Sequence, residues 1–368
     1  MTSGDVKVLD RRALNRSLLA RQLLLERSSM PAARVIAHLV GMQAQAPNPP
    51  YIGLWTRVAG FRTEDLASLV RNREAVRLAL MRGTIHLVTA DDCVALRPVL
   101  RDALRQGLMR SFGKELDGLD IEEVAARGRE LVEREPLALG GLGALLAERW
   151  PDRDPLALAN VVRGLVPLVQ VPPRGLWGES GQAVHTSAEA WLGRPLARAT
   201  APDPMIERYL AAFGPASVKD IQAWSGMTRL ADAVKRLGPR LAVFRDENGR
   251  ELFDLPDAPR PDPRVPVPVR FLPEFDNILL AHADRTRVLA EERRGLVFTR
   301  NGLIRSTFLV DGFVAGLWRV ERTRGAAALV LEPFAALSAQ DRAALAEEGG
   351  RLLAFAAAGA DSAEVRFV

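Results

Sequence analysis

Cysteine and histidine are scarce in this chain of 368 residues. The one cysteine, Cys93, excludes an internal disulfide and any cysteine-clustered zinc or iron–sulfur site. We expect it to be a small buried apolar side chain. The four histidines, His38, His86, His185 and His282, lack the spacing of metal ligands. We therefore predict a protein without a metal or another cofactor.

Long apolar runs are also absent. No stretch approaches the roughly 18 apolar residues that a membrane-spanning helix needs, and the start, Met1-Thr2-Ser3-Gly4-Asp5, lacks the apolar core of a signal peptide. These absences predict a cytoplasmic protein without membrane contact. Because 48% of the residues are hydrophobic, a chain of this length can bury two or three sizeable cores.

Positive charge is concentrated near the start of the chain. Residues 1–110 contain 17 Lys and Arg against 9 Asp and Glu, a net charge of +8, whereas the other 258 residues sum to −3. Only four of the basic residues in the whole chain are lysines. Arginine binds phosphates and base edges well, so the asymmetry points to a polyanionic partner. A GC-rich genome also raises the Arg/Lys ratio, although it does not explain the asymmetry.

Two glutamines, Gln43 and Gln45, flank one alanine just before the break Pro47-Asn48-Pro49-Pro50, through which no helix can continue. In an extended segment alternate side chains share a face, so both carboxamides are predicted to point the same way. Each offers one acceptor atom and two donor hydrogens, and the pair can hold a water, a base edge or a sugar without adding a charge. From spacing alone, a polar loop after a helix is the simpler interpretation.

The clearest local unit is a helix-turn-helix followed by a β-hairpin, which is the pattern of a winged helix. Ser217 and Asp220 form a capping box at the start of its second helix, and Asn248-Gly249 is a strong hairpin turn. The predicted helices are Asp203 to Phe213, Val218 to Ser225 and Met227 to Leu237, and the strands are Leu241 to Arg245 and Glu251 to Leu255.

Weaker copies of this plan precede it, with hairpins predicted at residues 75–88 and 166–187. After the proline-rich residues 257–268, alternating strands dominate, including a predicted strand from Leu296 to Thr299, and a long helix precedes the last strand. We therefore predict an α+β protein in four units. Residues 1–115, 116–200 and 201–260 are three tandem winged helices, and residues 261–368 form a small β-barrel-like unit.

Several short motifs resemble those of the bacterial winged-helix DNA glycosylases, and the resemblance covers nearly the whole chain. They are Leu14-Asn15-Arg16, Gly41-Met42-Gln43-Ala44-Gln45, Met81-Arg82-Gly83-Thr84-Ile85-His86-Leu87-Val88, Leu272-Pro273-Glu274-Phe275-Asp276-Asn277 and Val310-Asp311-Gly312-Phe313. The resemblance implies that the three winged helices surround a basic concave surface. It also implies removal of alkylated purines, chiefly N7-alkylguanine and also N3-alkyladenine, from double-stranded DNA. It places this chain in the Gln-x-Gln branch, which includes enzymes for bulky or crosslinked adducts, and implies a role in self-resistance to a genotoxic natural product.

The same resemblance assigns Gln43 and Gln45 as the catalytic pair, which would hold a water against the anomeric carbon. A cationic N7-alkylguanine is already a good leaving group, so it needs no protonation. None of the four lysines lies near the motif in sequence, which favours base excision without strand cleavage through a Schiff base. We also expect a monomer associated with the nucleoid.

Other site residues are predicted more loosely. We predict that DNA is contacted by Arg16, Arg57, Arg82, His86, Arg322 and Arg324, and by a groove-probing hairpin at either Asp311-Gly312 or residues 322–325. For Arg82 and His86, a purely structural hairpin is the alternative. Asp276 and Asn277 more simply cap a turn, and Trp55 and Trp177 either stack on a base or pack in the core.

Two other functions fit the pattern. A winged-helix transcription regulator would use Gln43 and Gln45 to recognise adenine edges and its C-terminal unit to sense a ligand. An architectural DNA-binding protein would have no chemistry at all. Release of an alkylated base separates the glycosylase from both.

Overall fold

The computed structural model describes residues 6–198 and 201–368, and over these ranges the chain is an α+β protein. The predicted fold class is thus confirmed. The start Met1 to Asp5 and the end of the predicted second unit, at residue 200, lie outside the described residues. The elements of the first part are β1 Val8–Leu9, α1 Arg11–Arg21, α2 Ala32–His38, β2 Met42–Gln43, α3 Pro49–Trp55, α4 Thr63–Arg71, β3 Ala75–Ala79, β4 Ile85–Thr89, α5 Ala90–Val99 and α6 Arg101–Phe112.

The middle of the chain follows the predicted order of helices and hairpins. Its elements are α7 Ile121–Arg134, β5 Leu137–Ala138, α8 Leu139–Ala147, α9 Pro155–Leu165, β6 Leu168–Gln170, β7 Val184–Ser187, α10 Ala188–Leu192, α11 Asp203–Phe213, α12 Val218–Ser225, α13 Ala231–Leu237, β8 Ala242–Asp246 and β9 Glu251–Asp254. The capping box at Ser217 and Asp220 is present as predicted, because Ser217 accepts from the Asp220 amide and Asp220 accepts from the Ser217 amide. Helix α13 begins four residues later than predicted.

The last part contains a sheet and one long helix. Its elements are β10 Arg270–Leu272, α14 Arg294–Val297, β11 Thr307–Val310, β12 Phe313–Thr323, β13 Ala326–Pro333, α15 Ala339–Ala356 and β14 Ser362–Phe367. The predicted strand from Leu296 to Thr299 is wrong. The chain there forms one helical turn that buries Val297, and only Phe298 pairs, through an isolated bridge to Ile304.

The predicted barrel-like unit is instead an open five-stranded sheet in the order β10-β11-β12-β13-β14. In the described residues its outer strands, β10 and β14, do not pair with each other. Strand β14 returns parallel to β13 because α15 crosses over between them. Closure of the sheet would require a pairing that this crossover does not provide.

The three hairpins do not stand apart as independent wings. We call β3–β4 the first wing, β6–β7 the second wing and β8–β9 the third wing. The first and second wings join edge to edge, with Leu78 opposite Val169, in a six-stranded sheet of order β2-β4-β3-β6-β7-β5. The third wing pairs with β1, which runs parallel to β8.

Arginines near the start of the chain form internal ion pairs with carboxylates far along it. Arg21 donates to both oxygens of Asp254 at 2.6 and 2.8 Å, and both side chains are fully buried. The other such pairs are Arg12 and Arg16 with Asp311, Arg27 with Glu348, and Arg57 with Asp276. Part of the positive charge of residues 1–110 is therefore neutralised inside the protein.

We predict that Asp254→Asn destabilises the protein by about 3–5 kcal/mol, because Arg21 becomes a buried charge without a counterion. Chemical denaturation of the purified variant measures this change. The matched control is Asp262→Asn, since among the described residues the ion pair of Asp262 is with the exposed Arg264 two residues away. Equal stability of the two variants would show that the buried pair does not hold α1 to the third wing.

Candidate active site

The glutamine segment lies at the edge of the six-stranded sheet. Gly41 precedes it with φ +90°, and a Cβ atom there would lie 2.6 Å from Cγ1 of Val88, so only glycine fits. Strand β2 pairs antiparallel with β4, which places Gln43 opposite His86. The Ala44 amide then donates to the Ile85 carbonyl at 2.7 Å. The segment is thus fixed against the first wing.

Both glutamine side chains contact the first wing near its turn. Oε1 of Gln43 accepts from Nη2 of Arg82 at 2.8 Å, and Oε1 of Gln45 accepts from the Ile85 amide at 2.7 Å. Gln43 is 6% exposed, whereas Gln45 is exposed. The two carboxamides therefore lie on the same wing, one sheltered and one open to solvent.

Arg82 connects the glutamine segment to α12. Its backbone is left-handed, with φ 57°, and its guanidinium donates to the Trp224 carbonyl as well as to Gln43. Burial, together with nearby Arg285, lowers the pKa of Arg82 to about 10, so it stays charged near neutral pH. No carboxylate within the described ranges forms an ion pair with it.

His86 is neutral at the pH where the protein would work. Burial, followed by the charge of Arg82, lowers the pKa of His86 to about 3. Its Nδ1 lies 2.9 Å from the Thr84 carbonyl, so this nitrogen donates to the carbonyl and carries the proton of the neutral ring. His86 is 2% exposed. His86 thus lies inside the first wing, and its predicted contact with DNA stays a prediction.

Two further side chains hold the backbone of the segment. Nη2 of the buried Arg77 donates to the Ala44 carbonyl at 2.7 Å. Asn277 donates from Nδ2 to the Gly41 carbonyl at 2.8 Å, and its Oδ1 accepts from the Gln43 amide at 3.4 Å. Asn277 thus has the structural role we preferred for it, and it bears directly on the glutamines.

Two arginines that we predicted to contact DNA are buried in the protein. Arg57 is 0% exposed and donates to both oxygens of Asp276, at 2.9 and 2.8 Å. Arg16 is also 0% exposed and pairs with Asp311. Both guanidiniums bind carboxylates of the chain itself, and their contacts with DNA stay predictions.

The turn at Asp311-Gly312 is likewise not a free probe. Asp311 binds Arg12 and Arg16, and the Gly312 carbonyl accepts from Asn15 at 2.8 Å, so this turn packs against α1. The alternative hairpin tip, between β12 and β13, carries the exposed Arg322 and Arg324. Arg322 donates to the Ala356 carbonyl. The groove-probing role stays a prediction, and this second tip is the one available for it.

Sequence reasoning missed two arginines beside the first wing turn. Arg110 and Arg163 line a cavity of about 470 Å³ together with Arg82, Asn160 and Gly226. Arg110 is exposed, Arg163 is partly buried, and neither forms an ion pair within residues 6–198 and 201–368. Unlike Arg16 and Arg57, they leave positive charge available at the surface.

The remaining candidates are mainly structural. Trp55 is 9% exposed and stacks on Phe355 at 6.0 Å, so core packing is confirmed for it. Trp177 is partly exposed and contacts Tyr51 and Phe355. Cys93 is buried, and burial raises the pKa of its thiol to about 12. No group of metal-binding side chains and no helix able to span a membrane occurs in the part of the chain that the structure describes.

Comparison with known proteins points to one family. Residues 36–355 match the family described as DNA glycosylase AlkZ-like. The chain is 25% identical over 349 residues to an interstrand DNA cross-link repair glycosylase of Streptomyces sahachiroi, covering 85% of this chain and 88% of that protein. The solved structure of the Streptomyces sahachiroi DNA glycosylase AlkZ superimposes with a TM-score of 0.81 at 21% identity, over 98% of this chain and all of that one.

We predict that stability falls as the pH drops below about 6.5. Burial lowers the pKa of His86 and His282 to about 3 and that of His185 to about 4, so the unfolded chain binds these protons first. Each histidine contributes a slope of up to about 1.4 kcal/mol per pH unit. Urea denaturation between pH 5 and 7 measures the slope. His185→Gln removes one titrating group, so it should reduce the slope by up to about 1.4 kcal/mol per pH unit. An unchanged slope would contradict a neutral His185.

Proposed function

The chain belongs to the AlkZ-like family of DNA glycosylases, and on that premise we propose that it hydrolyses the N-glycosidic bond of cationic N7-alkylpurine nucleotides in duplex DNA. N7-alkylguanine is the principal substrate and N3-alkyladenine a second one. The observation that carries the proposal is the pair of carboxamides, Gln43 and Gln45, fixed on one wing by Arg82 and Ile85.

The proposed chemistry requires a positioned water and no acid. A cationic purine departs as a neutral base, so the leaving group needs no proton. Each glutamine oxygen accepts one hydrogen bond from the wing and retains a second lone pair, to which a water can donate. A water held in this way directs its own lone pair at the anomeric carbon. As the C–O bond forms and the C–N bond breaks, the base leaves neutral and the proton lost by the water passes to solvent. His86, uncharged and buried, takes no part in proton transfer.

Base excision without strand cleavage is part of the proposal. A Schiff base with the opened sugar needs an amine close to the anomeric carbon. The hydrogen bonds of Gln43 and Gln45 involve an arginine, an asparagine and a backbone amide, and no lysine. We therefore propose that the product is an intact strand with an abasic site.

Duplex DNA is the proposed partner of a monomeric enzyme in the nucleoid. The arrangement we propose is three winged units, over residues 1–115, 116–200 and 201–260, around a basic surface that includes Arg110 and Arg163. The hairpin tip with Arg322 and Arg324 would enter the groove beside the lesion. The similarity to a protein named as a cross-link repair glycosylase supports the extension to bulky and crosslinked adducts, and to self-resistance against a genotoxic natural product.

The first test is release of 7-methylguanine from a duplex that contains one such lesion. We predict release by the wild type and a loss of about 100-fold or more in the single-turnover rate for Gln43→Ala with Gln45→Ala, since misplaced groups lose about this much. The matched control is Gln340→Ala, on the exposed start of α15. Borohydride should trap no covalent adduct.

Other results of this experiment would overturn the proposal. Binding to DNA without release of a base would favour the transcription regulator or the architectural protein. Undiminished release by the double variant would remove the glutamines from catalysis while leaving the glycosylase activity in place.

Salt dependence tests the DNA-binding surface separately. We predict that Arg110→Ala reduces the slope of log K against log salt by about 1, because one phosphate contact is lost. The control is Arg34→Ala, which removes an exposed arginine of α2 away from the cavity at the first wing turn. Equal slopes for the two variants would show that Arg110 does not contact the DNA backbone.

A further inference from the structure

The orientation of both glutamine amides follows from their partners. A guanidinium and a backbone N–H can only donate hydrogen bonds, so the atom facing each of them must be Oε1 and not Nε2. The NH2 group of each amide therefore points away from its partner on the wing. Among the described residues, neither NH2 group forms a hydrogen bond.

The partners of the two oxygens differ in charge. Gln43 accepts from a cation, Arg82, and Gln45 accepts from the neutral Ile85 amide. A charge-assisted hydrogen bond withdraws electron density from the carbonyl, which weakens its second lone pair as an acceptor and strengthens the N–H groups as donors. The NH2 group of Gln43 is therefore the stronger hydrogen-bond donor, and Oε1 of Gln45 is the better acceptor.

From this difference, and resting on the proposed glycosylase function, we propose that Arg82 is a positioning residue that makes Gln43 a hydrogen-bond donor to the damaged nucleotide. Gln45 then holds the attacking water through Oε1. The acceptor that Gln43 contacts is a lone pair of the lesion nucleotide, on the sugar, the base edge or the adjoining phosphate. The predicted role of Arg82 as a phosphate contact is replaced, because both of its terminal nitrogens donate inside the protein.

The end of α12 holds Arg82 in place. The Trp224 carbonyl accepts from Nη1, and Gly226 packs against the backbone of Arg82. A Cβ atom at Gly226 would lie 2.9 Å from both N and Cα of Arg82, and φ at Gly226 is +79°. The third winged unit thereby fixes a side chain that orients the motif of the first unit.

Rates measured with excess enzyme separate positioning from DNA binding. We predict that Arg82→Gln lowers the single-turnover release of 7-methylguanine about 10- to 100-fold while the Kd for the duplex changes less than about threefold. Arg82→Lys keeps the charge but not the planar fork, so it should restore only part of the rate. Arg34→Ala is the control for loss of one positive charge. A loss confined to Kd, fully rescued by lysine, would overturn the proposal.

Glutamate substitutions test the division of roles. Gln43→Glu still accepts from Arg82 but has no N–H, so we predict a loss of at least about 100-fold. Gln45→Glu keeps its acceptor oxygens and should stay within about tenfold of the wild type. The reverse order of activities would show that Gln43 holds the water, and would refute the assignment.

A structural measurement keeps the inference testable even if the wild type releases no base. The chain has eight glutamines, so selective 15N labelling resolves their side-chain amides, and Gln43→Ala and Gln45→Ala assign the two signals. We predict that Arg82→Gln shifts the NH2 signal of Gln43 and leaves that of Gln45 nearly unchanged. No shift at Gln43 refutes the positioning role, whereas absence of base release from an intact wild type refutes only the proposed function.

Discussion

The ion pair between Arg57 and Asp276 fixes the geometry on which the glutamine segment depends. Both side chains are 1% exposed, and Asp276 also accepts from the Ile278 amide, which orders the turn that follows it. The next residue, Asn277, then bonds to Gly41 and Gln43 from a position more than 230 residues along the chain. Removal of either charge would leave the other buried without a partner, so the placement of the glutamines is tied to the folding of the C-terminal part.

Two classes of arginine emerge from this arrangement. Arg21 and Arg57 are buried against carboxylates and hold distant parts of the chain together. Arg77 and Arg82 donate to acceptors in or beside the glutamine segment and have no ion-pair partner within the described ranges. The charge asymmetry of the sequence therefore has two sources. One part pairs with carboxylates more than 200 residues further along the chain, and the other leaves positive charge beside the glutamine segment.

Local signals in the sequence predicted correctly the features that depend on residues close together in the chain. The capping box at Ser217 and the turn at Asn248-Gly249 correctly predicted the start of α12 and the hairpin of β8 and β9. Gln43 and Gln45, which alternation predicted to point the same way, both contact the first wing. These signals do not show which strands or side chains pair when they lie far apart in the sequence. The open sheet depends on where β14 returns, and the carboxylates that pair with Arg16 and Arg57 lie more than 200 residues away from them in the sequence. A sequence shows that an arginine is present but not whether it is already paired.

Because Gln43 and Gln45 carry no charge, they also bear on which lesions the proposed enzyme can excise. When a cationic purine leaves, positive charge moves from the base to the sugar, and the net charge of the reacting nucleotide does not change. When a neutral base leaves, a sugar cation and a base anion form together, which requires a counterion or an acid. Gln43 and Gln45 supply neither, and the nearby His86 cannot donate a proton near neutral pH because its pKa is about 3. Under the proposed mechanism the charge of the lesion provides the activation that the two glutamines do not supply, and we therefore expect a preference for cationic purines.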